Sequence, residues 1–257
     1  DLIYEHMKPL GFGQITGIDI VGESRGVLPS TEWKRTTYKK AEQQRWYSGE
    51  TISLGIGQGY NSFTMLQIAH ATATIANNGL KMRPHIVREV LDVETKAPTP
   101  VAKEPIGQLP LAPENLDVIK RAMIGVNIEG TSATSFVGAQ YVSAGKTGTA
   151  QVYTVKQNEK YNAATVDERM RDHALYIAFA PADDPKVALA MVVENSGFGA
   201  QNAAPIARRV FDFVILGQYP SEEDIAAVQK GQATRPIGKP RDVANVPWPP
   251  KTITAAV

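Results

Sequence analysis

Two almost unbroken apolar runs, His173 to Ala180 (HALYIAFA) and Lys186 to Asn195 (KVALAMVVEN), are separated only by the turn PADDP. Runs without polar alternation predict central strands covered on both faces. So short a link cannot hold a crossover helix, so the two must pair antiparallel. Tyr141 to Val152 (YVSAGKTGTAQV) reads as a third strand upstream, and Gln201 to Leu216 as an amphipathic closing helix. That helix offers Ala204, Ile206, Ala207, Val210, Phe211, Val214 and Ile215 to the sheet. Helices first, then a strand meander, then a helix predicts an α+β domain with an antiparallel sheet flanked by helices.

The Tyr141–Val152 strand departs from strand chemistry at its centre. Branched and aromatic residues are favoured in strands, and glycine weakens them. Here Lys146, Thr147, Gly148 and Thr149 occupy the middle. Alternation puts Lys146 and Gly148 on one side, Thr147 and Thr149 on the other. Such a segment can hold a carboxylate through the lysine and a hydroxyl. Its glycine lets another backbone lie alongside, and a neighbouring N–H can stabilise a developing oxyanion. A three-residue motif also arises by chance, and a solvated edge strand with a glycine bulge fits it equally well.

Elsewhere the pattern is sharper locally than globally. Asp1 to Leu10 carries helical apolar spacing ending at Gly11, so the chain opens inside a helix, as a piece of something longer would. Residues 11–34 read as turns. The basic run from Lys34 through Arg35, Lys39, Lys40 and Arg45 reads as a solvated face. Thr64 and Gln67 form a capping box for a helix whose Met65, Leu66, Ile68, Ala69, Ala73, Ile75 and Ala76 are expected inside, ending at Asn77-Asn78-Gly79. GIGQG before it is not a dinucleotide loop, because Tyr60 stands where a third glycine is needed. Lys81 to Glu94 reads as extended, the prolines from Pro98 to Pro110 as loop, and Pro113 as the first turn of another helix. The polar stretch Tyr153 to Asp172 reads as a lid, insertion or mobile loop. Residues 218–257 read as a Pro-rich polar tail without further packed structure.

Bulk properties exclude more than they select. A net charge of +1, with 43% hydrophobic and 21% charged residues, gives no nucleic-acid footprint. The absence of cysteine excludes disulfides and thiolate-bound metals, and suits an oxidising compartment. His6, His70, His85 and His173 lack metal-ligand spacing, and His173 reads as structural. No apolar run reaches the ~18–20 residues of a membrane span.

Taken together, SAGKTGTAQV, GVNIEGTS, HALYIAFAP, GIGQGYNSFTMLQIAHATATIANNG and KPLGFGQITGIDIVGESRGVLPSTEWK resemble the class B penicillin-binding proteins of the elongation type, from Asp1 to Gly217. One departure is Met65, where that family commonly has proline. The resemblance implies a peptidoglycan D,D-transpeptidase, in which a serine attacks the D-Ala-D-Ala amide of a stem peptide and passes the acyl group to a neighbouring amine. β-Lactam antibiotics acylate the same serine, and no cofactor is expected. It further implies that the Lys-Thr-Gly strand is the edge strand beside the cleft. Lys146 would complete the cationic network, Thr147 and Thr149 would bind the substrate or β-lactam carboxylate, the Thr149 N–H would be an oxyanion donor, and Gly148 would keep the groove open. Residues 1–217 would be the C-terminal part of the transpeptidase domain. The parent would carry an N-terminal membrane helix, face the periplasm, and work with a membrane glycosyltransferase and other elongation-complex proteins.

The family also needs Ser-x-x-Lys on a helix and a Ser-x-Asn or Ser-x-Asp. The only Ser-x-x-Lys here is Ser143 to Lys146, whose ends point to opposite faces of a strand, and the second motif is absent. Thr36 to Lys39 has the spacing without the serine. The nucleophile is therefore expected upstream of Asp1. Open alternatives are a serine β-lactamase or β-lactam sensor, and a non-catalytic interaction module of the cell-wall machinery.

Overall fold

A computed structural model describes residues 1–152, 161–162, 165–232 and 234–246. The chain forms two compact units, Asp1–Lys120 and Arg121–Val257.

The first unit holds α1 (Leu2–Met7), α2 (Thr31–Thr37), α3 (Ala41–Gln44), α4 (Ser48–Gly55) and α5 (Met65–Ala76). Four short strands follow: β1 (Leu80–Met82), β2 (Glu89–Leu91), β3 (Pro98–Pro100) and β4 (Pro105–Gln108). The capping box at α5 forms as read: the Thr64 hydroxyl accepts from Gln67 N, and Gln67 Oε1 accepts from Thr64 N. The buried face of α5 is not the apolar one, however. Gln67, His70, Ala71, Thr72, Thr74 and Ala76 are buried; of the expected interior residues only Ala76 is among them. Burying polar groups is tolerable only when each is hydrogen-bonded. Gln67 Nε2 donates to Gln14 O (2.7 Å) and Arg25 O (2.8 Å), His70 Nε2 lies 2.7 Å from Met82 O, and Thr74 donates to His70 O. The helix thus staples irregular loops by their carbonyls. Gly26, at φ +59°, sits where a Cβ would come 2.4 Å from Ser62 O, beside the Val27–Ser62 bridge.

Lys34 corrects the reading of the basic run as solvated. It is 3% exposed and paired with Glu50, donates to Arg45 O (2.7 Å), and sits 5.2–5.9 Å from the ring centres of Tyr47, Tyr60 and Trp46. Burial alone would raise the Glu50 carboxyl, but donors from Lys34, Tyr47 N and Tyr60 hold it below its ordinary range. Arg35, Lys39, Lys40 and Arg45 are exposed as expected. The extended stretch from Lys81 splits in two: β1 pairs antiparallel with β4, and β2 with β3. Part of the proline-punctuated loop is therefore strand. Proline is compatible with this because a two-stranded ribbon is all edge. Ile86, Val87, Val90, Leu91 and Val93 remain exposed.

Helix α6 (Pro113–Ile128) begins at the proline the sequence marked. In the second unit, α7 (Ala133–Phe136) leads to β5 (Ala144–Ala150), β6 (His173–Ala180) and β7 (Val187–Val193). They form an antiparallel sheet of order β5-β6-β7, with Lys146 opposite Ile177, Thr147 opposite Tyr176 and Gly148 opposite Leu175. β6 is central; β7, expected to be covered on both faces, is an edge among the described residues and only half-buried. One face of β6 (Ala174, Tyr176, Ala178, Ala180) is fully buried against Phe136 and against α8 (Gly199–Asn202) and α9 (Ala204–Leu216), through Ala203, Ala204, Ala207 and Phe211. Alanine on both sides lets helix and sheet approach closely. Ile206, Val210 and Val214, also assigned to the sheet by periodicity, face outward. Their place inside is taken by Arg208 and Asp212. Arg208 Nε bonds both Asp212 oxygens (2.8 and 2.9 Å), and Tyr141 donates to Asp212 (2.8 Å).

Residues 218–232 and 234–246 carry secondary structure anchored at Ser221 and Asp224, contrary to the reading of a structureless tail. β8 (Gln218–Tyr219) pairs with β9 (Arg241–Asp242), and α10 (Glu222–Gln229) lies between them in sequence. Asp224, fully buried, accepts two bonds from Arg209 of α9 (2.6 and 2.8 Å). The end of the tail, 247–257, lies outside the described residues, as do 153–160 and 163–164 of the expected lid. Removing one partner of a buried pair strands the other, at a cost of about 3–5 kcal/mol. Asp224→Asn should accordingly lower the urea midpoint by a large margin, whereas Arg35→Ala, which breaks an exposed pair with Glu32, should leave it unchanged.

Candidate active site

Among the described residues, strand β5 lies at the edge of its sheet, and its polar centre occupies that edge. By alternation, Gly145, Thr147 and Thr149 share a face with Ala178, Tyr176 and Ala174; Lys146 and Gly148 point the other way. Lys146 is exposed, and its Nζ donates to Thr147 O at 2.8 Å. The hydroxyls of Thr147 and Thr131 lie 2.9 Å apart, both reaching solvent. Thr149 and Gly148 are half-buried.

A close backbone approach within the chain falls next to Gly148, at Gly199. A Cβ on Gly199, at the start of α8, would come 2.2 Å from Leu175 O and 2.6 Å from Gly148 O. Glycine at 199 thus lets α8 rest on the backbones of β5 and β6, while a Cβ on Gly148 would meet only Leu175 Cβ at 3.2 Å.

Under β5 runs a closed hydrogen-bond network that sequence reasoning missed. The Tyr176 hydroxyl donates to Asn127 Oδ1 (2.6 Å), Ser132 Oγ donates to the same oxygen (2.7 Å), and Asn127 Nδ2 donates to Ser143 Oγ (2.8 Å). All four side chains are buried. Gly145 makes the arrangement possible, since a Cβ there would fall 2.2 Å from the Tyr176 oxygen. Burial pushes the Tyr176 phenol up to about 12. The available signal was GVNIEGTS, polar where a helix end meets the strand, but nothing in its spacing names Tyr176 as the partner.

The network also disposes of the overlapping Ser-x-x-Lys. Ser143 is buried with its oxygen accepting from Asn127, while Lys146 is exposed, so the two do not form a nucleophile and base. Thr36 is bonded to carbonyls within α2. The histidines bond main-chain groups: His6 to Leu2, His70 to Met82, His85 to Val87, and His173, which accepts from Asn195 N. No cluster able to hold a metal ion occurs among the described residues, nor does a helix long and apolar enough to cross a membrane.

Residues 1–212 match the penicillin binding protein transpeptidase domain. The chain belongs to that family. It is 39% identical over 226 residues to the peptidoglycan D,D-transpeptidase MrdA of Haemophilus influenzae, covering 87% of this chain and 34% of that protein. To the protein of the same name from Escherichia coli K12 it is 38% identical, covering 84% and 34%. The chain thus spans about a third of the length of these relatives. Among solved structures, it superposes on Pseudomonas aeruginosa PBP2 in complex with WCK 5153 with a TM-score of 0.66 at 37% identity, covering 86% of this chain and 42% of that one. It also matches PBP2 of Helicobacter pylori in complex with MreC, with a TM-score of 0.64 at 27% identity, covering 83% and 36%. The α+β architecture with its antiparallel sheet is the transpeptidase fold of this family.

Overpacking at a position with no room costs about 1–3 kcal/mol or more. Gly145→Ala should therefore destabilise the protein in urea unfolding, with the Asn127–Tyr176 contact as the point of damage. Because the Tyr176 phenol is raised above its ordinary value, its contribution to stability is fully present below about pH 10 and lost as pH rises towards 12. Tyr176→Phe should flatten that part of the alkaline stability profile.

Proposed function

We propose that this chain is the C-terminal part of the transpeptidase domain of a peptidoglycan D,D-transpeptidase that cross-links the cell wall during elongation. Residues 1–217 belong to that domain, residues 218–257 follow it, and the nucleophilic serine is supplied by sequence upstream of Asp1. The observation that carries this reading is the edge strand β5, with Lys146 exposed and the Thr131–Thr147 hydroxyl pair accessible beside it.

A stem peptide or a β-lactam lies along β5. Lys146 supplies positive charge to its carboxylate, Thr147 and Thr149 supply hydroxyl donors, and Gly148 contributes backbone alone. The Thr149 main-chain amide serves the oxyanion formed when the upstream serine attacks the carbonyl, a contribution of the kind worth roughly 3–4 kcal/mol. The acyl-enzyme then passes its acyl group to a neighbouring amine, or stays blocked when the acyl donor is a β-lactam. The parent acts on the periplasmic side of the inner membrane, held by an anchor outside residues 1–257, and maintains cell shape. Its partners are a membrane glycosyltransferase and elongation-complex proteins, supported by the matched PBP2–MreC complex and by a matched peptidoglycan synthase complex that coordinates polymerization and crosslinking.

Fluorescent penicillin should label the full-length parent covalently and leave the 257-residue chain unlabelled; labelling of the chain alone would refute the upstream nucleophile. Charge-assisted bonds contribute about 1.5–3 kcal/mol, so Lys146→Ala in the parent should slow acylation roughly 10- to 100-fold. Unchanged acylation would remove Lys146 from the site, and rapid antibiotic turnover by the parent would replace the transpeptidase reading with a β-lactamase.

A further inference from the structure

We infer that Thr131, just beyond the C-terminus of α6, is a positioning residue that orients the Thr147 hydroxyl towards a bound carboxylate; this rests on the transpeptidase reading above. The two hydroxyl oxygens are 2.9 Å apart, and the motif from Lys146 to Thr149 does not include Thr131.

The turn that presents Thr131 is built to a single geometry. Gly130 N donates to Gly125 O (3.0 Å), Ser132 N to Val126 O (3.2 Å), and Ala133 N to Gly130 O (3.2 Å). A Cβ on Gly130 would come 2.7 Å from Val126 Cα, so only glycine permits so tight a departure from α6. The next side chain, Ser132, is 1% exposed and locked into the network of Asn127 and Tyr176, and Tyr176 is the cross-strand partner of Thr147. Thr131 is therefore pinned on one side by Gly130 against α6 and on the other by Ser132 in the Asn127–Tyr176 network, while its own side chain stays exposed.

A threonine hydroxyl has one proton to donate and lone pairs to accept with. In a pair at hydrogen-bond distance, one hydroxyl spends its proton on the other and the second proton points elsewhere. If Thr147 is to donate to an anion, Thr131 must be the donor behind it. The chain Thr131 O–H to Thr147 Oγ1, Thr147 O–H to carboxylate then polarises along its length and strengthens the outer bond. Without Thr131, the Thr147 hydroxyl is free to rotate away.

The test uses the full-length parent and two acylating agents, a penicillin with its free ring carboxylate and its methyl ester, followed by intact-protein mass. Thr131→Val should slow acylation by the free acid roughly 3- to 10-fold, the size of one neutral hydrogen bond, and leave the slower ester reaction within about twofold. Thr131→Ser should restore the rate with the acid. Adding Thr131→Val to Thr147→Val should cost nothing further. Equal rates for Thr131→Val and the unaltered protein, or an equal slowing with acid and ester, would overturn the inference. Failure of the unaltered parent to acylate at all would instead overturn the transpeptidase reading, and this inference with it.

Discussion

The phenol of Tyr176 crosses beneath β5 at Gly145, where that strand has no side chain, and the geometry of the site depends on this crossing. A fully buried hydroxyl must find partners or forfeit a free energy comparable to a whole hydrogen bond. Tyr176 finds Asn127, which is also claimed by Ser132 and claims Ser143 in turn. Four residues from α6, the turn after it, the approach to β5, and β6 are thereby held by one connected set of bonds. A network of this kind is sensitive to any missing member, because each loss leaves a buried polar atom stranded.

That constraint explains why the glycines of the region cannot be read as one kind of residue. Gly145 makes way for a phenol, Gly199 lets a helix rest on the sheet, and Gly130 lets the chain leave α6 sharply enough to bring Thr131 to Thr147. The sequence pattern announced close approach somewhere in the strand, and Gly148 stood at its centre. The tightest contacts fall instead at Gly145 and Gly199, whose partners Tyr176 and Leu175 lie far along the chain.

What was legible in advance was what local periodicity controls. β6 runs over the residues its apolar run marked, the meander is antiparallel, and the α5 capping box and the Pro113 start of α6 are in place. Three departures share a cause. The inner face of α5 is polar, Lys34 is buried, and Arg208 and Asp212 displace three aliphatic residues from the inner face of α9. In each case a polar side chain is brought inside because a distant partner satisfies it: loop carbonyls for Gln67, Glu50 for Lys34, and Tyr141 with the carbonyls of Ser135 and Val137 for the Arg208–Asp212 pair. Periodicity sees neighbours three and four residues apart and is blind to bonds that span tens of residues. The structure of residues 218–232 and 234–246 escaped for the same reason, since its anchor is the pairing of Asp224 with Arg209 rather than an apolar stripe.

The division of labour across β5 follows from its being an edge. A central strand offers both faces to a core and both backbone rims to neighbours; among the described residues β5 has β6 on one side only. Its Thr147 face is built against the Tyr176 network, which supplies rigidity, while Lys146 on the other face remains exposed and, among the described residues, donates to its own neighbour's carbonyl. Lys146 keeps most of its hydration, whereas Lys34, enclosed by three aromatic rings and a glutamate, has given it up. Two lysines of one chain are thus placed in opposite surroundings, one desolvated and paired, the other left in water. Ser143, committed to Asn127 and buried, belongs with the structural side of β5, and the polarity left accessible on the strand is that of Lys146 and the Thr147 hydroxyl.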